Sequence, residues 1–169
     1  MSTLIIDTEK YVFSLLNKDL DRKFVYHNLE HTQRVVKSIK ELTEHIKIDE
    51  LASENLQIAA WFHDTGFIKT TENHEEESVQ IAAAFLKENK VSDDRIKDIT
   101  ALILVTKMGS RPKDALEKII IDADCSHVGS KDFFDYTYLL RKEWELTGFK
   151  NVSDTEWVAE NIEFFTQKH

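Results

Sequence analysis

Apolar residues recur every three or four positions along most of this chain, the spacing that places side chains on one face of an α-helix. The clearest stripe, over 29–46, combines apolar positions with one histidine: His31, Val35, Ile39, Leu42 and Ile46. Comparable spacing predicts helices over 3–20, 50–63, 74–88, 93–107, from Pro112 to Gly129, from Ser130 to Thr147, and after Ser153. No segment alternates apolar and polar residues convincingly, as a half-buried strand does. We therefore expect an all-α bundle of about eight helices.

Polar residues mark where several of these helices begin. Asp49 precedes the third helix and Asn73 the fourth, and both residue types accept hydrogen bonds from the free N–H groups of a first turn. Glu76 stands three positions after Asn73, which is the spacing of a capping box, and Ser153 and Glu156 have the same spacing. We expect side chains to cap all three of these helices.

Glycine and proline mark the turns. Gly66 follows the third helix closely, and a left-handed conformation there would stop that helix. Gly109 is expected to end the fifth helix, and Pro112 to occupy the first turn of the next one. The segment 65–73 is then a loop.

The composition favours long helices over a turn-rich β fold, because the chain has only 4 glycines and 1 proline. With 169 residues, of which 41% are hydrophobic, it can bury a substantial core, and we expect one domain over 1–169. The last helix reaches His169 without a stop signal, which leaves open a native chain that continues further.

Charge and cysteine content narrow the possible functions. The net charge of −9 argues against a protein that binds nucleic-acid duplexes, and a phosphate-binding site would need a local cation. The single cysteine, Cys125, excludes an intramolecular disulfide and fits a reducing compartment. No stretch is apolar enough to span a bilayer. We expect a cytoplasmic protein, and its oligomeric state stays open.

Ionisable residues fall on the apolar faces of three different predicted helices: His31, His63 and Asp124, with Asp64 directly after His63. Taken singly, each histidine fits an ordinary buried histidine, and Asp124 fits a salt-bridging carboxylate. Taken together, four buried ionisable groups need partners, and one divalent cation satisfies them all. Two imidazoles and two carboxylates suit manganese, iron, cobalt, nickel, zinc or magnesium, and lack the thiolates of a structural zinc site.

These residues resemble a known signature. His31, the His63–Asp64 doublet and Asp124 are similar to the H…HD…D pattern of the HD-domain metal-dependent phosphohydrolases, over about 24–130. The run Tyr-His-Asn-Leu-Glu-His that ends at His31 resembles an element of cyclic-nucleotide phosphodiesterases and small bacterial HD proteins. The Asp-Ala-Asp run that ends at Asp124 resembles the element that holds the last ligand. The resemblance implies an all-α fold and an ion that activates water against a phosphate ester, with 131–169 as C-terminal packing helices.

Two residues are candidates for catalysis. His27 lies one helical turn before His31, where a general acid for the leaving oxygen would stand, and the resemblance to phosphodiesterases implies the same role. A surface loop residue is an equally good interpretation of His27. Asp64, like Asp124, is a candidate to orient or deprotonate the attacking water.

Substrate contacts are expected from residues near the predicted loops and helix ends: Lys69, His74, Thr106, Lys107 and Arg111. The cations among them would supply the local positive charge that a phosphate needs, although each also fits a solvated surface residue. His74 opens a predicted helix and is a candidate for a phosphate, a second ion or plain solvent. Thr106 stands where two-metal relatives often have histidine, so we expect one ion, with a second less favoured.

The sequence thus predicts a metal-dependent phosphohydrolase whose substrate is a small phosphate ester, such as a nucleotide. One alternative is a cyclic-nucleotide phosphodiesterase, or a catalytically weak sensor module that binds a nucleotide. Another is a scaffold in which the metal only joins helices.

Overall fold

The computed structural model describes residues 2–167, and there the chain forms eight α-helices, two short 3₁₀ helices and no strand. The α-helices are α1 (Thr3–Asp19), α2 (Leu29–His45), α3 (Glu50–Phe62), α4 (His74–Glu88), α5 (Asp93–Leu104), α6 (Ala115–Asp124), α7 (Phe133–Thr147) and α8 (Asp154–Gln167). The 3₁₀ helices are Thr65–Ile68 and Cys125–Gly129. The predicted all-α class is confirmed. Met1, Lys168 and His169, which the predicted domain 1–169 includes, lie outside the described residues.

Helix α3 is the centre of the bundle, because α1, α2, α4, α5 and α6 all contact it. Its apolar residues are therefore buried on every side and not along one stripe: Leu56, Ile58, Ala59, Ala60 and Phe62. The chain leaves this helix in the interior, so the next residue, His63, is buried as well.

Helices α2, α3 and α6 pack against one another. The stripe of α2 buries Val35 and Ile39, and α6 buries Ile120. Full burial of an aliphatic side chain of this size stabilises the fold by about 1.5–3 kcal/mol. This packing brings together the start of α2, the end of α3 and the end of α6.

Two of the three predicted caps are confirmed. Asp49 Oδ1 accepts a 2.8 Å bond from the backbone N–H three positions further on. Ser153 and Glu156 exchange bonds of 2.8 and 3.3 Å between side chain and backbone. The capping box at Asn73 is wrong, because Asn73 has a left-handed φ of 53° and makes no cap bond. Its Oδ1 accepts instead from Lys107 Nζ at 2.8 Å, so a tertiary contact has taken this side chain.

Three expectations about turns are wrong. Gly66 does not have a positive φ, and it lies inside the first 3₁₀ helix, so 65–73 is only partly a loop. Pro112 precedes α6, which begins after a cap formed by Asp114. Gly109, expected to end the fifth helix, has a left-handed φ of 83° and lies five residues after that helix ends at Leu104.

The C-terminal part differs from the prediction in its boundaries. The helix predicted from Pro112 to Gly129 is divided into α6 and the second 3₁₀ helix, and α7 begins three residues after Ser130. Helices α7 and α8 pack through Trp144 and Trp157, whose ring centroids lie 5.2 Å apart in an edge-to-face arrangement. Within residues 2–167, no helix has the length and apolarity to cross a membrane.

Candidate metal centre

His31 lies on the inner face of the first turn of α2. Asn28 caps that helix, since its Oδ1 accepts from the N–H groups of Glu30 and His31 at 3.0 and 3.2 Å. The cap fixes where the helix begins and thereby the direction of the third residue. The His31 side chain is only 2% exposed.

His63 directly follows α3 and is fully buried. Its Nδ1 lies 2.7 Å from the carbonyl oxygen of Ala60, which can only accept. Nδ1 therefore carries a proton, and in the neutral imidazole Nε2 is the nitrogen that offers its lone pair to a cation.

The two histidines meet two carboxylates. His31 Nε2 and His63 Nε2 lie 3.2 Å apart. Asp64 Oδ2 is 3.3 Å from the first nitrogen and 3.1 Å from the second, and Asp124 Oδ1 is 3.0 and 3.5 Å from them. The structure thus brings all four predicted ligands together, and His31, His63 and Asp124 offer atoms that lie within 4.8 Å of one another.

Asp64 provides a test of whether this group fits a metal. The residue is 6% exposed, and its Oδ2 is buried without a hydrogen bond that has acceptable geometry. A buried carboxylate oxygen that accepts no hydrogen bond is unfavourable, and a divalent cation in contact with it would remove that penalty. The nitrogen and oxygen donors are also those that such ions accept. The residues therefore fit a divalent ion.

Contacts within the cluster shift its pKa values. Burial alone would lower the pKa of His31 and His63, but Asp64 and Asp124 outweigh burial and raise both. Burial alone would raise the pKa of the two aspartates, but the histidines hold both below their usual range. Both shifts favour protonated imidazoles beside ionised carboxylates in the metal-free centre, so a bound cation competes with those protons.

His27 is held by a residue that sequence analysis did not identify. Glu143, on α7, is 3% exposed, and its Oε1 pairs with His27 Nδ1. Its Oε2 accepts from the backbone N–H groups of Tyr26 and His27 at 2.7 and 2.9 Å. The His27 ring centroid lies 5.5 Å from that of His31. His27 is thus a fixed side chain beside the centre, and not a free surface loop residue.

His74 lies on the other side of the Phe67 ring. Phe67 stacks on His27 at 4.8 Å and on His74 at 3.7 Å between centroids. His74 Nε2 is 3.5 Å from Asp64 Oδ1 and 3.6 Å from Glu75 Oε1. Burial would lower the pKa of His74, but Asp64 and Glu75 raise it. His74 therefore borders the centre and is not a solvated first-turn residue.

Gly66 explains how the doublet is held against α4. Its N–H donates to Ser78 Oγ at 2.8 Å. A Cβ on Gly66 would lie 1.9 Å from the carbonyl oxygen of His74. Glycine is required here for close approach of two backbones, and not for a left-handed turn.

The remaining predicted substrate residues make other contacts. Lys69 pairs with Glu77 at 2.9 Å, and Lys107 pairs with Glu76 at 2.6 Å. The Thr106 hydroxyl donates to a backbone carbonyl at 2.8 Å, and Arg111 is exposed. In the described part of the chain, no hydrogen bond or ion pair joins these four residues to the metal centre, so their role in binding stays a prediction.

Two more features lie beside His31 that the sequence pattern does not indicate. The Tyr26 hydroxyl lies 3.0 Å from His127 Nδ1, and burial together with the charge on His31 lowers the pKa of His127 to about 4. Arg34, one turn after His31, stacks on Tyr136 of α7. The spacing of Arg34 places it on the face of His31, but nothing local in the sequence signals the residues of α7.

The HD-domain family matches residues 28–129 of this chain. Neither the comparison with curated proteins nor that with solved structures gave a match. Proteins with this domain generally bind divalent metals and act as metal-dependent hydrolases. The matched segment contains His31, the doublet and Asp124, and it leaves out His27 and Glu143. The chain belongs to the HD-domain family.

Proposed function

We propose that this protein is a metal-dependent phosphohydrolase that cleaves a phosphate ester of a nucleotide or a similar small molecule. The observation that carries the proposal is the convergence of two Nε2 atoms and two carboxylate oxygens from His31, His63, Asp64 and Asp124. When bound, a divalent ion lowers the pKa of a water molecule and neutralises charge on a phosphoryl oxygen.

Asp64 is assigned to orient the attacking water. Its Oδ2 faces the two histidines, and its Oδ1 is directed to the side of His74. A carboxylate held in this way can accept a proton while its position stays fixed. His74 Nε2 then serves as a donor to a phosphate oxygen.

His27 is assigned to protonate the leaving oxygen. The pairing of its Nδ1 with Glu143 leaves Nε2 as the nitrogen that transfers the proton. Glu143 thus positions His27 and does not itself reach the substrate.

The second candidate is a cyclic-nucleotide phosphodiesterase. When water attacks a phosphodiester, the P–O bond that breaks releases an alkoxide, which needs a well-placed acid to protonate it, and the His27–Glu143 pair provides one. A panel that contains nucleoside monophosphates, p-nitrophenyl phosphate and 3′,5′-cyclic nucleotides separates the two candidates by which compounds are hydrolysed.

The experiment compares wild-type protein with His63→Ala after reconstitution with Mn²⁺. The proposal expects hydrolysis of at least one phosphate ester, and a loss of about a hundredfold or more in His63→Ala. His45→Ala is the matched control, because His45 is exposed at the end of α2. Wild-type protein that binds Mn²⁺ and cleaves none of these esters, or a His63→Ala variant with full activity, would contradict the proposal.

A further inference from the structure

Among residues 2–167, Arg34 stands out because no carboxylate lies within ion-pair distance of its guanidinium. Three of the five arginines are partly buried, and two of these form ion pairs. A guanidinium nitrogen of Arg95 lies 2.8 Å from a carboxylate oxygen of Glu54, and one of Arg141 lies 2.7 Å from a carboxylate oxygen of Asp154. Arg34 is the third, and within residues 2–167 no carboxylate oxygen lies within 4.0 Å of its guanidinium. In a protein with a net charge of −9, this exception needs a cause.

Aromatic stacking holds the Arg34 guanidinium. Its central carbon lies 4.0 Å from the ring centroid of Tyr136 and 5.8 Å from that of Tyr26. A guanidinium stacked on a ring keeps its in-plane N–H groups free, and those groups form the fork that binds an oxyanion with two parallel hydrogen bonds. The stack therefore orients a donor edge whose Nη2 lies 3.4 Å from His31 Nδ1, and within residues 2–167 no hydrogen bond occupies Nε or Nη1.

The guanidinium lies beside the metal centre, on the side away from the carboxylates. Arg34 Nη2 is 3.4 Å from His31 Nδ1, and the Asp64 and Asp124 oxygens lie at Nε2, across the same ring. An anion bound to Arg34 would thus lie next to a phosphate at the metal, with the edge of the His31 ring between the two sites. Lys69 and Lys107 do not offer such a free cation, since glutamates pair with both.

We propose that Arg34 binds a second phosphoryl group of the substrate. This inference rests on the proposed function, and it narrows the substrate class to small molecules that carry another phosphate beyond the one that is cleaved. The side chain contacts the distal anion and takes no part in proton transfer.

The experiment measures anion binding and not turnover. Mn²⁺-loaded protein is titrated calorimetrically with inorganic phosphate, which has one phosphoryl group, and with methylenediphosphonate, which has two and resists hydrolysis. Mn²⁺ stays in excess over the anion so that chelation does not remove it from the protein. Arg34→Gln is expected to weaken methylenediphosphonate binding about tenfold and phosphate binding by less than about twofold.

Control variants separate this role from a structural one. Arg22→Gln removes the same charge from an exposed position and is expected to change neither affinity. Tyr136→Phe keeps the stack and should bind both anions as wild type does, whereas Tyr136→Leu should weaken methylenediphosphonate binding alone. Because Arg34 also lies 3.4 Å from the nitrogen of a metal ligand, the anion affinities of Arg34→Gln are compared at saturating Mn²⁺, and the melting temperature shows whether the fold is kept.

If Arg34→Gln weakens the binding of both anions equally, or weakens the binding of neither, the inference is overturned. If the loaded wild-type protein binds neither anion, the phosphate site itself is refuted, and the role of Arg34 with it. If the anions bind as expected and no ester is hydrolysed, the proposed activity fails and the assignment of Arg34 stands.

Discussion

Replacing Gly66 with alanine should strongly destabilise this protein, although the change adds one methyl group. A Cβ at this position would lie 1.9 Å from the carbonyl oxygen of His74 and 2.9 Å from the backbone nitrogen of Ser78. Both atoms belong to the backbone of the first turns of α4, so no side-chain rotation relieves the contacts. The 3₁₀ helix and α4 would have to move apart by about 1 Å.

Two contributions set the size of the expected loss in stability: overpacking and a broken hydrogen bond. Overpacking in a well-packed interior destabilises by about 1–3 kcal/mol. The displacement also breaks the buried 2.8 Å hydrogen bond from the Gly66 N–H to Ser78 Oγ, and an unsatisfied buried donor adds about 1–3 kcal/mol. We expect a loss of about 3 kcal/mol or more in the free energy of unfolding.

Urea unfolding followed by circular dichroism measures this loss. Gly129→Ala is the control, because a Cβ there meets nothing within 4 Å and Gly129 has no positive φ. We expect that control to stay within about 0.5 kcal/mol of the wild type. If Gly66→Ala unfolds at the same urea concentration as Gly129→Ala, the close approach described here is wrong.

Two further predictions concern the centre and its surroundings. Glu143→Gln keeps an oxygen for the Tyr26 and His27 N–H groups but places an NH₂ group against His27 Nδ1, so steady-state kinetics should show kcat about tenfold lower at unchanged KM. Glu145→Gln, on the same helix, should leave kcat unchanged, and an equal loss in both variants would refute the assignment. As pH rises above about 6.5, the melting temperature of EDTA-treated protein should fall, and that of Mn²⁺-loaded protein should fall less. A rise for the EDTA-treated protein would contradict the described contacts.

The direction of the pH effect follows from the shifted groups. In the metal-free protein the pKa of His31 and His63 is raised from 6.5, so their stabilising contribution is complete below pH 6.5 and is lost as pH rises through the raised values. The pKa of Asp64 and Asp124 is lowered from 3.8, so their contribution is complete above pH 3.8 and is lost in stronger acid. The cluster therefore stabilises the metal-free fold most between pH 3.8 and 6.5.

Much of this centre could be anticipated because its residues follow helical spacing. His31 lies on the stripe of α2, and His63 continues the buried face of α3. A periodic pattern reports which face of a helix is inside, and the helices that carry these faces converge. That is why the sequence alone predicts which four side chains come together.

Other features could not be anticipated, since they depend on contacts between distant segments. Glu143 pairs with His27 across 116 positions, and no local pattern distinguishes it from the other acids of α7. Asn73 fails as a cap because Lys107 binds its side chain. Gly66 resembles a helix stop in the sequence, but its conformation follows from the backbone of α4.

Anomalous diffraction from crystals that contain Mn²⁺ tests the central claim most directly, namely that His31, His63, Asp64 and Asp124 bind one divalent ion. The account predicts a single strong peak among the His31 Nε2, His63 Nε2, Asp64 and Asp124 oxygen atoms, at about 2.0–2.3 Å from each. A crystal of Mn²⁺-containing protein with no peak at this position, or with its strongest peak bound elsewhere, would contradict it.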